Sequence, residues 1–294
     1  MILRPFDPWN SALCTCPPKY SLNPYTGCPH GCLYCYASSY IPRFSQCRPK
    51  VGLIRHLDRE AKRLLPGSLV ALSNSSDPYP PLERELGLTR GCLQVLRDRG
   101  LSVQVVTKSH LVAEDAGLLA AMKACAAITV TCLDIEVSRR LEPGAPLPEQ
   151  RLFALRRLAD EGVPISARID PIIPGINDFL IEDLVSAVCR AGAAHITSST
   201  FKARPESLRR ISSAFPEEST LLRKIFDKGS RISGSLYLPA DMRRDLMQRA
   251  RAAAEREGAT FSSCREGTAP LAGVSCDGTH LINAMPAPNF GSRP

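Results

Sequence analysis

Residues 28–36 read Cys28-Pro29-His30-Gly31-Cys32-Leu33-Tyr34-Cys35-Tyr36. The spacing is C-x3-C-x2-C. Three thiols this close together wrap only a compact soft-metal centre, because thiolate is a soft ligand. Structural zinc sites take four ligands, commonly from two C-x2-C pairs, and here the second pair is missing. Iron–sulfur clusters are held by thiolates in tight runs. On a four-iron, four-sulfur cluster, three cysteines leave one iron open to another ligand. The alternative for the same residues is a zinc knuckle completed by His30 or a distant cysteine.

Outward from this loop the chain alternates between short apolar runs and helical stretches. Strands are expected near Ser21–Tyr25 and at Leu69–Ser73, Val103–Thr107, Ala127–Cys132, Pro164–Ile169 and His195–Ser199. Helices are expected at Thr89–Arg99, Ala113–Cys125, Pro148–Glu161 and Ile181–Ala191, with Gly100, Gly162 and Gly192 placed to stop three of them. Such repeats imply parallel strands with right-handed crossovers. Six strands suit an α/β fold, a partial (β/α)6 barrel open on one side. In barrel-like sheets the chemistry gathers at the C-terminal strand ends. Polar residues fall there: Ser73 to Asp77, Thr107-Lys108-Ser109, Asp134, Arg168 with Asp170, and Ser198-Ser199-Thr200. Beyond residue 201 the alternation ends. Residues 205–231 and Pro239–Glu257 read as basic helices, Phe261–Ile282 as a Gly- and Cys-containing stretch, and the last dozen residues as a loose tail. The division expected is an N-terminal Cys-containing segment (1–20), the barrel core (21–200) and a mostly helical basic C-terminal region with its own Cys-containing segment (201–294).

Composition narrows the class. Hydrophobic residues are 44% and charged residues 22% of the 294, which excludes disorder. No apolar run approaches the roughly 20 residues that span a bilayer, and the first residues lack signal-peptide character. A cytoplasmic protein is expected, with no membrane partner. Disulfides are rare in that compartment, so twelve cysteines call for metal or redox chemistry, or for burial as small hydrophobes. The net charge of +8 is uneven: residues 1–63 carry 9 basic and 3 acidic side chains, and residues 201–257 carry 13 and 8. Basic regions of this kind attract polyanions such as DNA or RNA. Arg243, Arg244, Arg249, Arg251 and Arg256 on the Pro239–Glu257 helix are the candidates to face a phosphate backbone.

The segment Asn23-Pro24-Tyr25-Thr26-Gly27-Cys28 through Tyr36-Ala37 resembles the cluster loop of radical S-adenosylmethionine (SAM) enzymes. Further on, Ser76-Asp77-Pro78-Tyr79-Pro80-Pro81, Leu88-Thr89-Arg90, Thr107-Lys108-Ser109, Leu141-Glu142-Pro143 and Asp170 to Asp178 resemble the spore photoproduct lyase-like (DNA repair photolyase-like) family over about residues 20–200. The resemblance implies a 4Fe–4S cluster on Cys28, Cys32 and Cys35, whose unique iron binds SAM. One electron then cleaves SAM to a 5′-deoxyadenosyl radical. It implies an electron donor such as flavodoxin or ferredoxin. Tyr34 matches an aromatic near the SAM adenine. Ser75, Ser76 and Asp77 match contacts to the amino group or ribose. Lys108 is placed to pair with the SAM carboxylate, and Arg168 and Asp170 with the ribose or carboxylate.

Four further cysteines, Cys14, Cys16, Cys264 and Cys276, lie near the chain ends. They are expected to hold a second iron–sulfur cluster, or alternatively zinc. Cys47 is a candidate substitute ligand or catalytic thiol. Cys132, near a strand end, is a candidate for returning hydrogen to a product radical. Cys92, Cys125 and Cys189 are expected in the core within helices. Tyr36 and Tyr40 could stack on a base or pack. The expected function is radical SAM repair or modification of nucleic acid. The alternatives are radical modification of a peptide or protein using an auxiliary cluster, and a non-catalytic metal-binding protein.

Overall fold

The computed structural model describes residues 1–6, 11 and 13–284. Its centre is one sheet of eight strands: β1 (Arg4–Pro5), β2 (Tyr20–Leu22), β3 (Leu69–Leu72), β4 (Ser102–Thr107), β5 (Ala124–Thr129), β6 (Ile165–Ile172), β7 (His195–Thr200) and β8 (Thr260–Ser263). They lie side by side in chain order. β1 runs antiparallel to β2, and every later neighbour is parallel. Parallel strands in unbroken order put all crossovers on one side, which makes an open barrel rather than a doubly wound sheet.

The strands alternate in a way that sorts the two faces. Val103 and Val105, Ala124, Ala126 and Ile128, Ile165, Ala167 and Ile169, and Ile196 join the apolar core. The alternating positions are Gln104 and Val106 on β4, Cys125 and Ala127 on β5, Ser166, Arg168 and Asp170 on β6, and His195 and Thr197 on β7, so the inner face is polar on β6 and β7 and mixed on β4 and β5. The helical layer is α1 (Leu53–Ala61), α2 (Leu88–Asp98), α3 (Ile135–Leu141), α4 (Pro148–Asp160), α5 (Ile181–Arg190), α6 (Pro205–Ala214), α7 (Pro216–Asp227) and α8 (Ala240–Arg256). In α5, Ile181, Leu184, Val185 and Val188 are buried at helical spacing. α8 packs against α5, β7 and β8.

Two sequence readings shift. Helix Ala113–Cys125 is instead a 3-10 turn, His110–Asp115, and one short helix, Ala116–Ala120. The following strand begins at Ala124 rather than Ala127, so Cys125 lies in β5 and Cys132 lies beyond it. The run Ala124-Cys125-Ala126-Ala127 has helical propensity, but every residue of β5 is buried between strand neighbours, and that context overrides propensity. β8 and β1 join the sheet from stretches that carry no strand pattern of their own. The Pro-, Asn- and Gly-rich tail lies, from residue 285 on, outside the described residues. No helix among the described residues is long and apolar enough to cross a membrane.

The two chain ends close the inner face. Residues 276–280 lie against it: the Thr197 hydroxyl donates to the Cys276 carbonyl at 3.0 Å, and the Gln104 amide to the Asp277 carbonyl at 2.7 Å. Gly278 has φ 81°, and a Cβ there would stand 2.6 Å from that of Ser166. Lys19, just before β2, forms an ion pair with Asp277, with both side chains at most 5% exposed. Removing one member of such a pair leaves the other charge buried alone. Lys19→Met is therefore expected to lower the unfolding free energy by about 3 kcal/mol, read as a reduced urea midpoint. An unchanged midpoint would show that the ends are not clamped.

Candidate active site

The cysteine loop follows β2 and crosses the C-terminal ends of the neighbouring strands. Its shape is set by backbone contacts. Cys28 N–H donates to the Phe44 carbonyl at 2.7 Å, Leu33 N–H to Leu141 at 2.9 Å, and Gly144 N–H to His30 at 2.9 Å. Gly27 has φ 82°, and a Cβ there would fall 2.4 Å from the Gln46 carbonyl oxygen, so only glycine fits. From α6, Arg210 donates to the Leu33 and Cys35 carbonyls, each at 2.9 Å. His30 is buried, with Nδ1 3.6 Å from Asp77. Burial, opposed by Asp77, holds its pKa below the usual imidazole range. Burial pushes the Cys32 thiol up to about 12, with Lys108 pulling against it. Burial and then Asp77 raise the Cys28 thiol. A metal centre bound by these thiols would displace their protons.

Around the loop stand the polar strand ends. Asp77 accepts from Thr107 Oγ1 at 2.6 Å, Lys108 N–H at 2.8 Å and Tyr79 N–H at 2.9 Å, so its carboxylate splices the end of β3 to the end of β4. Ser76 donates to the Tyr25 carbonyl at 3.0 Å. Ser75 is held through its N–H, 3.3 Å from Asn23 Oδ1, and its hydroxyl has a 3.4 Å contact with Tyr40. Tyr34 donates its hydroxyl to Glu142, and Lys108 lies over its ring, 5.4 Å from the centroid. Glu142 is fully enclosed and pairs with Arg151 at 2.5 Å and, more loosely, with Lys108 at 3.9 Å. Burial opposes that charge, but Arg151 and Lys108 hold the carboxyl below its usual range. Among the described residues the Lys108 ammonium donates no hydrogen bond within 3.5 Å. Its side chain is 16% exposed, and burial is outweighed by Cys32 and Glu142 in keeping it charged.

The remaining residues singled out in the sequence lie beside this cluster or farther along the sheet. Arg168 and Asp170 pair with each other at 2.5 Å on the inner face of β6, between Cys264, which Arg168 faces, and Lys108, whose charge Asp170 supports. Cys47 is half-buried near Asp77, where burial and that carboxylate push its thiol up to about 11. Cys132 is 1% exposed. Asp134 caps α3 by accepting from Val137 N–H at 2.9 Å. Tyr36 donates to the Asn74 carbonyl at 2.8 Å and stacks on Tyr40 with ring centroids 6.2 Å apart. The arginines of α8 are largely engaged by the fold. Arg243 binds Glu266 at 3.1 Å, Arg249 binds Glu182 at 2.9 Å, and Arg251 lies over Phe261. Arg244 and Arg256 are the two that stay exposed.

Glu142, Arg151 and Arg210 belong to the site, and pattern reading assigned them no role. Glu142 stood inside the quoted Leu141-Glu142-Pro143. Arg151 looks like any helix-surface arginine until its helix is docked, and Arg210 like any member of a basic stretch.

The chain matches the family model described as the Radical SAM superfamily over residues 22–188. An uncharacterized protein of Mycobacterium tuberculosis is 26% identical over 255 residues, covering 79% of this chain and 73% of that protein. An uncharacterized protein of Methanocaldococcus jannaschii is 30% identical over 163 residues, covering 54% and 62%. Among solved structures, a spore photoproduct lyase mutant with bound AdoMet and dinucleoside spore photoproduct aligns with TM-score 0.63 at 19% identity, over 82% of this chain and 75% of that one. Streptococcus suis SuiB bound to S-adenosylmethionine aligns with TM-score 0.54 at 12% identity, over 83% and 49%. At such identities the structural likeness is one of fold. The family match runs from the last residue of β2 into α5, over more than half of the chain, and takes in the cysteine loop and the strand ends around it: this chain belongs to the radical SAM superfamily.

Proposed function

We propose that this radical SAM enzyme holds its 4Fe–4S cluster through Cys28, Cys32 and Cys35 and acts on nucleic acid, repairing or modifying it. The observation that carries the first part is the Lys108 ammonium, mostly buried beside Cys32 and without a hydrogen-bond acceptor in reach among the described residues. Such a group suits an anionic ligand in that position. The donor set fits the family's cofactor too: three soft thiols on one loop whose shape is held by backbone contacts. When bound, cluster and SAM supply a 5′-deoxyadenosyl radical, with the electron drawn from a donor such as flavodoxin or ferredoxin.

The chain's own residues position and shield. Lys108 takes the SAM carboxylate. Ser75, whose hydroxyl is the least engaged of the Ser75–Asp77 stretch, offers a hydrogen bond to the amino group or ribose. Tyr34, Ser76 and Asp77 shape the wall, with Asp77 fixing Lys108 through its backbone. Arg210 holds the loop by two carbonyls, so the thiols keep their spacing. Arg168 and Asp170 line the inner face facing substrate.

Nucleic acid as substrate is supported by charge. Arg209, Arg223, Lys224, Lys228, Arg231 and Arg244 stay exposed in the basic C-terminal region. The solved spore photoproduct lyase, similar in fold, carries a dinucleoside photoproduct. The inner face, polar on β6 and β7, likewise suits a polar substrate.

Anaerobically reconstituted protein given dithionite and SAM is expected to release 5′-deoxyadenosine, and Cys28→Ala, Cys32→Ala or Cys35→Ala to abolish the release. A fully loaded wild-type sample that releases none would overturn the reading. Lys108→Met is expected to weaken SAM binding about tenfold, the loss of one charge-assisted contact, with iron content unchanged; equilibrium dialysis reads it, and unaltered affinity would remove Lys108 from the SAM site. On DNA and tRNA columns the protein is expected to bind at low salt and to be released steeply as salt rises. Absence of retention at low salt would point to a peptide or protein substrate.

A further inference from the structure

Four cysteines outside the loop gather where the chain ends meet. The sulfurs of Cys16 and Cys276 stand 3.3 Å apart, and Cys276 donates. Cys14 lies against Cys16 and interacts with both its backbone and its thiol. Cys264 directly follows β8, near Cys16 and Arg168. Their backbones are pinned: Cys14 N–H to Ser11 at 2.9 Å, Cys264 N–H to Ser198 at 2.8 Å, and the Cys276 carbonyl to Thr197 at 3.0 Å. All four thiols are free, and 3.3 Å is far beyond the roughly 2.05 Å of a disulfide bond.

The surroundings do not suit cysteines used as small hydrophobes. Lys19 is beside Cys16, Arg265 beside Cys14, and Arg168 and Lys202 beside Cys264. Leaving Arg265 aside, Lys19, Arg168, Lys202 and Arg243 are four cations against the three carboxylates Asp277, Asp170 and Glu266 that pair with them, Glu266 being shared by two. The surplus is positive, and it borders four groups that are neutral as thiols and negative as thiolates. A thiolate-bound centre supplies the missing charge. An iron–sulfur cluster takes four thiolates on separate irons, so the Cys16 and Cys276 sulfurs, 3.3 Å apart, would part to bind it.

We propose that Cys14, Cys16, Cys264 and Cys276 hold a second iron–sulfur cluster at the inner face of the sheet. It stands across from the Cys28–Cys35 loop, with Tyr36 between them, next to Cys35 on one side and Cys264 and Arg265 on the other. The proposal rests on the terminal cysteines alone and is independent of the SAM assignment.

The test is metal content and spectroscopy on the full chain, reconstituted anaerobically with iron and sulfide. The Cys28→Ala/Cys32→Ala/Cys35→Ala protein is expected to keep about half of the wild-type iron and acid-labile sulfide, and the Cys16→Ser/Cys276→Ser protein the other half. A protein with all five substitutions should hold none. Reduced wild-type protein, which needs no substitution to fold, should give two electron paramagnetic resonance signals, of which SAM shifts one. Two signals that both ignore SAM would sink the SAM site and leave the second cluster standing. A single signal from fully loaded wild type, zinc in place of the second complement of iron, or a Cys16–Cys276 disulfide in the purified protein would each overturn the proposal.

Discussion

Parallel strands laid down in chain order constrain everything else in this molecule. Each crossover must pass the same side of the sheet, so the helices cover one face and the other is left to line a chamber. Every strand from β2 to β8 then ends at the same rim. Residues far apart in sequence become neighbours there: Lys108 directly follows β4, Cys32 lies on the loop that leaves β2, and Glu142 caps the C-terminal end of α3.

The rim is charged but internally balanced. Glu142 and Asp77 are buried carboxylates, and neither is a loose acid. Asp77 is saturated by β4, and Glu142 by Arg151 and Tyr34. Buried charges persist only when paired and hydrogen bonded. Their part is to hold the loop and Lys108 in place, leaving Lys108 as the group whose charge is only partly answered. Arg210 does the same from outside, gripping the loop by its carbonyls. A cofactor whose radical must be released next to substrate requires such rigidity.

The chain ends extend this logic to the other side of the chamber. Lys19 and Asp277 lock the N-terminal segment to the segment after β8, and Gly278 lets that segment lie against β6 and β7. The basic helix α8 takes part structurally: Arg243 and Arg249 are bound to acids of the fold, so a count of arginines overstated what it offers to a partner. Exposed basic residues lie more on α6, α7 and the turn after them.

Local sequence determined the cysteine loop, the order of strands and helices, and the polar strand ends, because these depend on spacing and on the two- and 3.6-residue periods. The strand at Ala124–Thr129 was misplaced by three residues, since alanines carry no pattern to separate strand from helix. Tertiary structure alone decided which end-of-chain segments meet. β8 is four residues long and has no helical or apolar signature, and becomes a strand only because β7 offers it an edge. The convergence of Cys14, Cys16, Cys264 and Cys276, the enclosure of Glu142, and the roles of Arg151 and Arg210 all depend on contacts between residues far apart in the chain. Such contacts leave no period in sequence, because they are set by how the elements pack and not by what each one is.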